Sequence, residues 1–314
     1  MTEYNTPLST VDVVIPAYNA DRFITHTLES VAKQTYPVNS IIVVNDGSTD
    51  QTQAHVLEFA RAHPHLNTVL LNQNNLGLSA ARNTGIQNSH ADYIALLDAD
   101  DLWAPAKLSQ QMQVFTRSTW SKLGVVYCGY RVINESGIAV ASSSRAVISP
   151  RHRGNVYQKL LLGNFISGSG SSVLIKSSVF SDIGLFDQAL RACEDWDMWL
   201  RIAKQYQFDF INEPLVSIRV HQNNMQKDSM RMLSAELMVL NKFYAQGDKN
   251  TFLLWKIRIF LLNKRLNALS IPGFDQCNEK LQSQLIGWRM MLASAFAAPF
   301  RALASIYLKT RGER

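Results

Sequence analysis

The chain has 314 residues, 46% of them hydrophobic, enough for one substantial core or a core plus a helical appendage and too many for a disordered protein. Its three cysteines, Cys128, Cys193 and Cys277, are odd in number and far apart, which points away from a disulfide framework or a cysteine-type zinc site and fits a reducing cytosol. The formal charge of +6 is uneven: from Met230 onward thirteen basic residues face five acidic ones, a net +8, which leaves −2 for everything before it.

The first ten residues are polar and lack the basic and apolar blocks of a secretion signal, so the expectation is a protein that is not exported. Short apolar runs at 11–16, 41–44, 68–71 and 93–97, rich in Val, Ile and Leu on both faces, read as central strands of a parallel sheet. Between them 22–34, 50–63 and 79–88 read as helices, and Ser48-Thr49-Asp50-Gln51 offers a capping box for the second. The repeated strand–helix unit predicts an α/β fold with helices covering the sheet.

Pro105 opens a helix to about 117, followed by a strand at 125–133 and a turn at Asn134-Glu135-Ser136-Gly137. The polar, basic, aperiodic stretch 142–153 reads as a loop near the site, 173–176 as a strand, 194–206 as a helix, and 208–220 as one or two closing strands. From about 228 long helical stretches take over until Pro272-Gly273 breaks them. The segments 252–265 and 285–308 mix aromatic, aliphatic and basic residues, and the longest uncharged run, 290–300, is too short to span a bilayer. Such helices lie on an anionic membrane surface or pack on the main domain or a partner. The expected division is 1–227, with halves 1–118 and 119–227, and a helical extension 228–314.

An α/β sheet binds ligands beyond the carboxyl ends of its strands. There the sequence places Pro16-Ala17-Tyr18-Asn19, then Asn45-Asp46-Gly47-Ser48, then Asp98-Ala99-Asp100-Asp101. Asp98 and Asp100 are two residues apart, so in an extended chain both face one side and can meet one hard cation, magnesium or manganese. The same acids would equally cap the helix that follows Pro105. Tyr18 offers an aromatic face to a nucleobase, Asp46 can accept hydrogen bonds from base N–H groups, and Arg82 can pair with a phosphate or orient the Asp cluster. No Gly-x-x-x-x-Gly-Lys-Ser/Thr loop occurs, and Gly168-Ser169-Gly170-Ser171 lacks the context of a dinucleotide fingerprint, which weakens ATPase and dehydrogenase readings.

Val14-Ile15-Pro16-Ala17-Tyr18-Asn19, Val44-Asn45-Asp46-Gly47-Ser48-Thr49-Asp50, Gly77-Leu78-Ser79-Ala80-Ala81-Arg82-Asn83 and Leu97-Asp98-Ala99-Asp100-Asp101 occur in that order. Together they resemble the successive motifs of the family 2 glycosyltransferases of the GT-A fold, over roughly residues 11–224. The resemblance implies a Rossmann-like, mostly parallel central sheet. It also implies an inverting, metal-dependent enzyme that takes a nucleotide-diphosphate sugar, most readily a UDP-sugar. Asp46 would read the base, with Pro16, Ala17, Tyr18 and Asn19 lining its pocket. Asp98 and Asp100 resemble the Asp-x-Asp pair, Asp98 and Ala99 near ribose and sugar, Asp100 first on Mn2+ or Mg2+, with Asp101 sharing that task.

Cys193-Glu194-Asp195-Trp196-Asp197 resembles the family's Glu-Asp motif, in which Asp195 is the base for the acceptor hydroxyl and Glu194 supports it. The helix dipole at that start is expected to lower the proton affinity of Asp195. His221 resembles a position that completes the metal or diphosphate site, and Gly168 to Ser172 a segment that leaves room for the acceptor. Arg82 and the metal would stabilise the departing diphosphate. The implied acceptor is a hydroxyl on a glycan or a lipid-linked saccharide in bacterial surface polysaccharide synthesis, served from the cytoplasmic face. The Gln-x-x-Arg-Trp sequence of processive synthases is absent. A sugar-nucleotide pyrophosphorylase and a nucleic-acid-binding protein using the basic tail are the alternatives. The first would need a Gly-rich basic loop where Pro16 to Asn19 stand, and the second a recognised nucleic-acid module.

Overall fold

In Val11–Ala17 (β1) and Ser40–Asp46 (β2) every residue is buried. β-branched and aliphatic side chains on both faces give these runs their strand character, because helices cover the sheet on both sides. A computed structural model describes residues 8–140, 147–166, 168–221 and 229–245. The anticipated tail helices at 252–265 and 285–308 lie outside the described residues.

In the first half, α1 (Ile24–Ala32) follows β1, α2 (Thr52–Ala62) follows β2, and α3 (Leu78–Gln87) follows β3 (Thr68–Gln73) before β4 (Tyr93–Leu96). β2 pairs in parallel with β1 and β3, and β1 pairs in parallel with β4. The order β3-β2-β1-β4 therefore turns back at β1, which opens a crevice at the ends of β1 and β4. β3 was expected to be central but is the sheet edge and only half buried, since among the described residues no strand pairs with its far side.

In the second half come β5 (Leu102–Trp103), α4 (Lys107–Arg117), β6 (Leu123–Ile133), β7 (Val147–Ile148), α5 (Tyr157–Leu161), a 3-10 turn (Ser169–Ser172) and β8 (Val173–Lys176). Then follow α6 (Ser177–Ile183), α7 (Glu194–Ala203), β9 (Gln207–Arg219) and α8 (Ser229–Ala245). The sheet continues β4-β8-β6-β9-β5, with β7 on β6. Parallel ladders are the long ones, β6 with β9 included, while the antiparallel ladders span two or three residue pairs. The result is a mostly parallel sheet in a mixed α/β fold. β9 is a single closing strand that absorbs register shifts against Cys128 and Gly129 of β6. Within the expected loop 142–153, the structure places β7 against Tyr130 and Arg131.

α1 buries Ile24, Leu28 and Val31, and α4 buries Leu108, Met112 and Phe115, both at helical spacing, against the strand residues Val11, Val13, Ile15, Ala95 and Val126. The capping box at Ser48 does not form. Asp50 instead accepts from the backbone N–H and the hydroxyl of Thr52 at 3.0 and 2.6 Å, which starts α2 two residues later than expected.

The chain divides into two compact units, Met1–Leu160 with Asn164–Val239, and Leu161–Gly163 with Leu240–Arg314. Among the described residues no helix is long and apolar enough to cross a membrane.

Candidate active site

The loops after β1 and β2 are tied together. The backbone N–H of Asn19, held at a φ of +48°, donates to Oγ of Ser48, and the N–H of Thr49 donates to Oδ1 of Asn19. Pro16 and Ala17 are buried beneath, while Tyr18 is 52% exposed and presents its ring to solvent. Asp46 is buried at the end of β2. Its Oδ1 accepts from Nε2 of Gln73 and the N–H of Leu76, and its Oδ2 accepts from the N–H of Gly77 at 2.8 Å. The carboxylate thus fixes the β3–α3 loop and keeps acceptor capacity on Oδ2 for a further N–H.

β4 ends at Leu96, and the chain does not stay extended through the acidic run: the N–H of Asp101 bonds back to the carbonyl of Asp98, closing a turn around Ala99. Asp98 and Asp100 consequently meet different partners. Oδ1 of Asp98 lies 2.8 Å from Nη2 of Arg82, and Oδ2 of Asp100 lies 2.9 Å from Nε2 of His221. Burial, reinforced by the nearby charge of Asp98, raises the proton affinity of Asp100, and the bond to His221 opposes this.

Asp101 was expected to share the metal. Each of its oxygens already accepts one hydrogen bond from the protein, Oδ2 from Oγ of Ser171 at 2.6 Å and Oδ1 from the N–H of Arg219 at 3.0 Å. It is a buried brace of the loop, and burial next to Asp100 and Asp98 drives its proton affinity well above the usual carboxylate range.

Arg82 departs furthest from expectation. Its side chain is fully buried, and its two terminal nitrogens go to Asp98 and, at 2.7 Å, to Oε1 of Glu194. Burial works against its charge, but Asp98 and Glu194 outweigh that cost and hold its proton more tightly than usual. Of the two roles considered for Arg82, the structure supports orienting the Asp cluster, because a guanidinium committed to two carboxylates inside the protein is not presented to a phosphate. Gly170 lies under this bridge, where an added Cβ would come 3.0 Å from Cβ of Leu96 and 3.5 Å from Nη2 of Arg82.

Glu194 and Asp195 open α7 after Cys193, which adopts a left-handed φ of +55°. Asp195 accepts from the N–H of Trp196 through Oδ1 and from Nδ2 of Asn164 through Oδ2, at 2.7 and 3.2 Å. The expected lowering of its proton affinity by the helix dipole does not prevail. Burial, helped by the charge of Glu194, lifts Asp195 to about 7, against the opposing pull of Arg82 and the two hydrogen bonds. That is the range in which a carboxylate takes a proton at neutral pH and passes it on.

Three supporting roles escaped the sequence reading. Ser171, fully buried, accepts from the N–H of Asp98 while donating to Asp101, so the segment expected to make room for an acceptor supports the acidic loop from below. Arg219, buried in β9, donates to the carbonyls of Asp100, Asn134 and Glu135; a charged residue inside an apolar closing strand was its available signal. Asn164 carried no local signal.

The family model described as glycosyl transferase family 2 matches residues 12–184, which include Asp46, Arg82 and Asp98. The chain belongs to this family. Among its relatives, an uncharacterized glycosyltransferase of Rickettsia typhi is 30% identical over 258 residues, covering 80% of this chain and 77% of that one. Other curated Rickettsia relatives are longer, and the chain spans from 64% down to 31% of their length. The Escherichia coli protein named UDP-Glc:alpha-D-GlcNAc-diphosphoundecaprenol beta-1,3-glucosyltransferase WfgD is 27% identical, covering 86% of this chain and 98% of that one. The mannosyltransferase PcManGT from Pyrobaculum calidifontis, solved with GDP-Man and Mn2+, has the same fold, with a TM-score of 0.63 at 19% identity over 96% of this chain and 84% of that one. Family 2 membership establishes the fold expectation, GT-A, and a glycosyltransferase activity. It favours neither the pyrophosphorylase nor the nucleic-acid reading.

Proposed function

We propose that this glycosyltransferase moves one sugar from a nucleotide-diphosphate donor to a hydroxyl of a glycan or lipid-linked acceptor, inverting the anomeric centre, and that it serves bacterial surface polysaccharide synthesis. The observation that carries this reading is the buried bridge in which Arg82 holds both Asp98 of the acidic loop and Glu194, the residue next to Asp195 at the start of α7. The acceptor oxygen attacks the anomeric carbon, the bond from that carbon to the diphosphate oxygen breaks, the diphosphate leaves with the electron pair, and the acceptor proton passes to Asp195. A single displacement needs no second carboxylate as nucleophile. The name of WfgD, with its UDP-glucose donor and diphosphoundecaprenol acceptor, supports a UDP-sugar and a lipid-linked acceptor here.

The donor set fits a hard divalent cation. Asp100 and His221 put a carboxylate and an imidazole side by side, and magnesium and manganese sites of this type are completed by substrate phosphates. Asp100 and His221 would hold the ion, with Asp98 adjoining; when bound, it supplies Lewis-acid neutralisation of the diphosphate charge. The basic tail, 228–314, would hold the enzyme on an anionic membrane surface beside such an acceptor.

Screening UDP-, GDP- and dTDP-sugars for metal-dependent thermal stabilisation tests the donor, because a true donor binds the folded state preferentially. Stabilisation by none of them would overturn the proposal. Deleting 252–314 and measuring sedimentation with anionic vesicles tests the tail, and unchanged vesicle binding would remove its membrane role.

A further inference from the structure

Arg82 is enclosed by carboxylates and Arg219 is spent on backbone carbonyls, so neither is the side-chain cation that joins a divalent ion at the donor's diphosphate. Asp46 and the acidic loop lie on either side of the start of α3: Gly77 donates to Asp46, and Arg82, five residues later, contacts Asp98. A nucleotide held at both Asp46 and the Asp98–Asp100 loop therefore starts beside Gly77 and runs toward the residues that Arg82 contacts.

Arg191 stands at that point. Its Nη1 is 3.0 Å from where a Cβ on Gly77 would sit, and the φ of +93° at Gly77 is what favours glycine there. The Arg191 side chain is exposed, and among the described residues its guanidinium has no hydrogen-bond or ion-pair acceptor. Its backbone is not loose: the Arg191 carbonyl accepts from both Nε and Nη2 of Arg231, two residues before the left-handed Cys193 that starts α7. An exposed guanidinium with unspent donors, beside a glycine at a helix start, suits a phosphate oxygen.

We propose that Arg191 is a donor-binding residue that holds an oxygen of the nucleotide diphosphate, an inference that rests on the nucleotide-sugar reading above. It also joins donor binding to the base, since Arg191 and Asp195 are four residues apart on one segment. The test is calorimetric titration of the full chain with UDP or GDP, whichever the wild type prefers, and with the matching nucleoside. Arg191→Ala should weaken the nucleoside diphosphate by about tenfold or more, the usual worth of a charge-assisted hydrogen bond, and leave the nucleoside unaffected, with Arg191→Lys between.

Equal weakening of diphosphate and nucleoside would overturn the proposal, since the guanidinium would then read the base or ribose. Undiminished diphosphate binding in both variants would overturn it as well. A wild-type chain that binds no nucleoside diphosphate would instead sink the donor reading itself, and that is seen before any variant is compared.

Discussion

Nη1 of Arg82 lies 2.7 Å from Oε1 of Glu194, 112 positions later in the chain, while its other terminal nitrogen holds Asp98. One buried guanidinium therefore fixes the separation between the acidic loop after β4 and the start of α7. Removing it leaves two carboxylates facing each other in a poorly hydrated space. Arg82→Met should cost about 3 kcal/mol or more in urea unfolding, the range found when one partner of a buried pair is deleted. Arg82→Lys keeps the charge but cannot fork to two acids, so activity should fall further than stability. A loss below about 1 kcal/mol in Arg82→Met, the value of an exposed pair, would show that the bridge is not the support described here.

Asp195 must be deprotonated to accept the acceptor's proton, so kcat/KM should rise with pH and level off above an inflection near 7. The neighbours set the direction of any change. Glu194 raises the proton affinity of Asp195, so Glu194→Gln should move the inflection to lower pH, whereas Asn164 bonds the charged form, so Asn164→Ala should move it to higher pH. A profile flat from pH 5 to 9, or shifts of opposite sign, would rule out Asp195 as the titrating base.

How far the sequence could be read depended on how local each signal is. Buried aliphatic runs exposed β1, β2 and β4 directly, and the motif residues at their carboxyl ends marked Asp46 and Asp98. The edge position of β3 was not legible, because an edge is defined by which strands fail to pair and not by composition. Arg82 was located correctly, but its burial depends on Glu194 and Phe186 arriving from the other half of the chain, Phe186 with its ring 5.4 Å from the guanidinium. The rise at Asp195 was misjudged for a similar reason: the dipole is visible locally, whereas the burial that drives the rise is not.

Ser171 offers a separate test of the acidic loop. Its hydroxyl accepts from Asp98 and donates to Asp101 with no exposure to water, so Ser171→Ala leaves a buried N–H and a buried carboxylate oxygen each short of a partner. The expected cost is about 1–3 kcal/mol. Because Asp98 and Asp101 shift together, the metal concentration needed for half-maximal activity should rise as well. Stability loss with unchanged metal response would mean that the serine supports the core alone.

Asp100 and His221 form the pair on which metal dependence should turn. Their contact is a single 2.9 Å bond between partly exposed groups, and neither side chain is needed to close the loop, which Asp101 and Arg219 brace independently. Asp100→Ala should therefore fold normally, with little change in melting temperature, yet lose the ability of Mn2+ to restore turnover after chelation. His221→Ala should retain the response at a higher Mn2+ concentration, because a carboxylate still anchors the ion and substrate phosphates supply the remaining ligands. The difference between the variants is informative. If His221→Ala were the more damaging and Asp100→Ala still responded to Mn2+, the imidazole would be the principal anchor, and the order of ligands proposed from the acidic loop would be reversed.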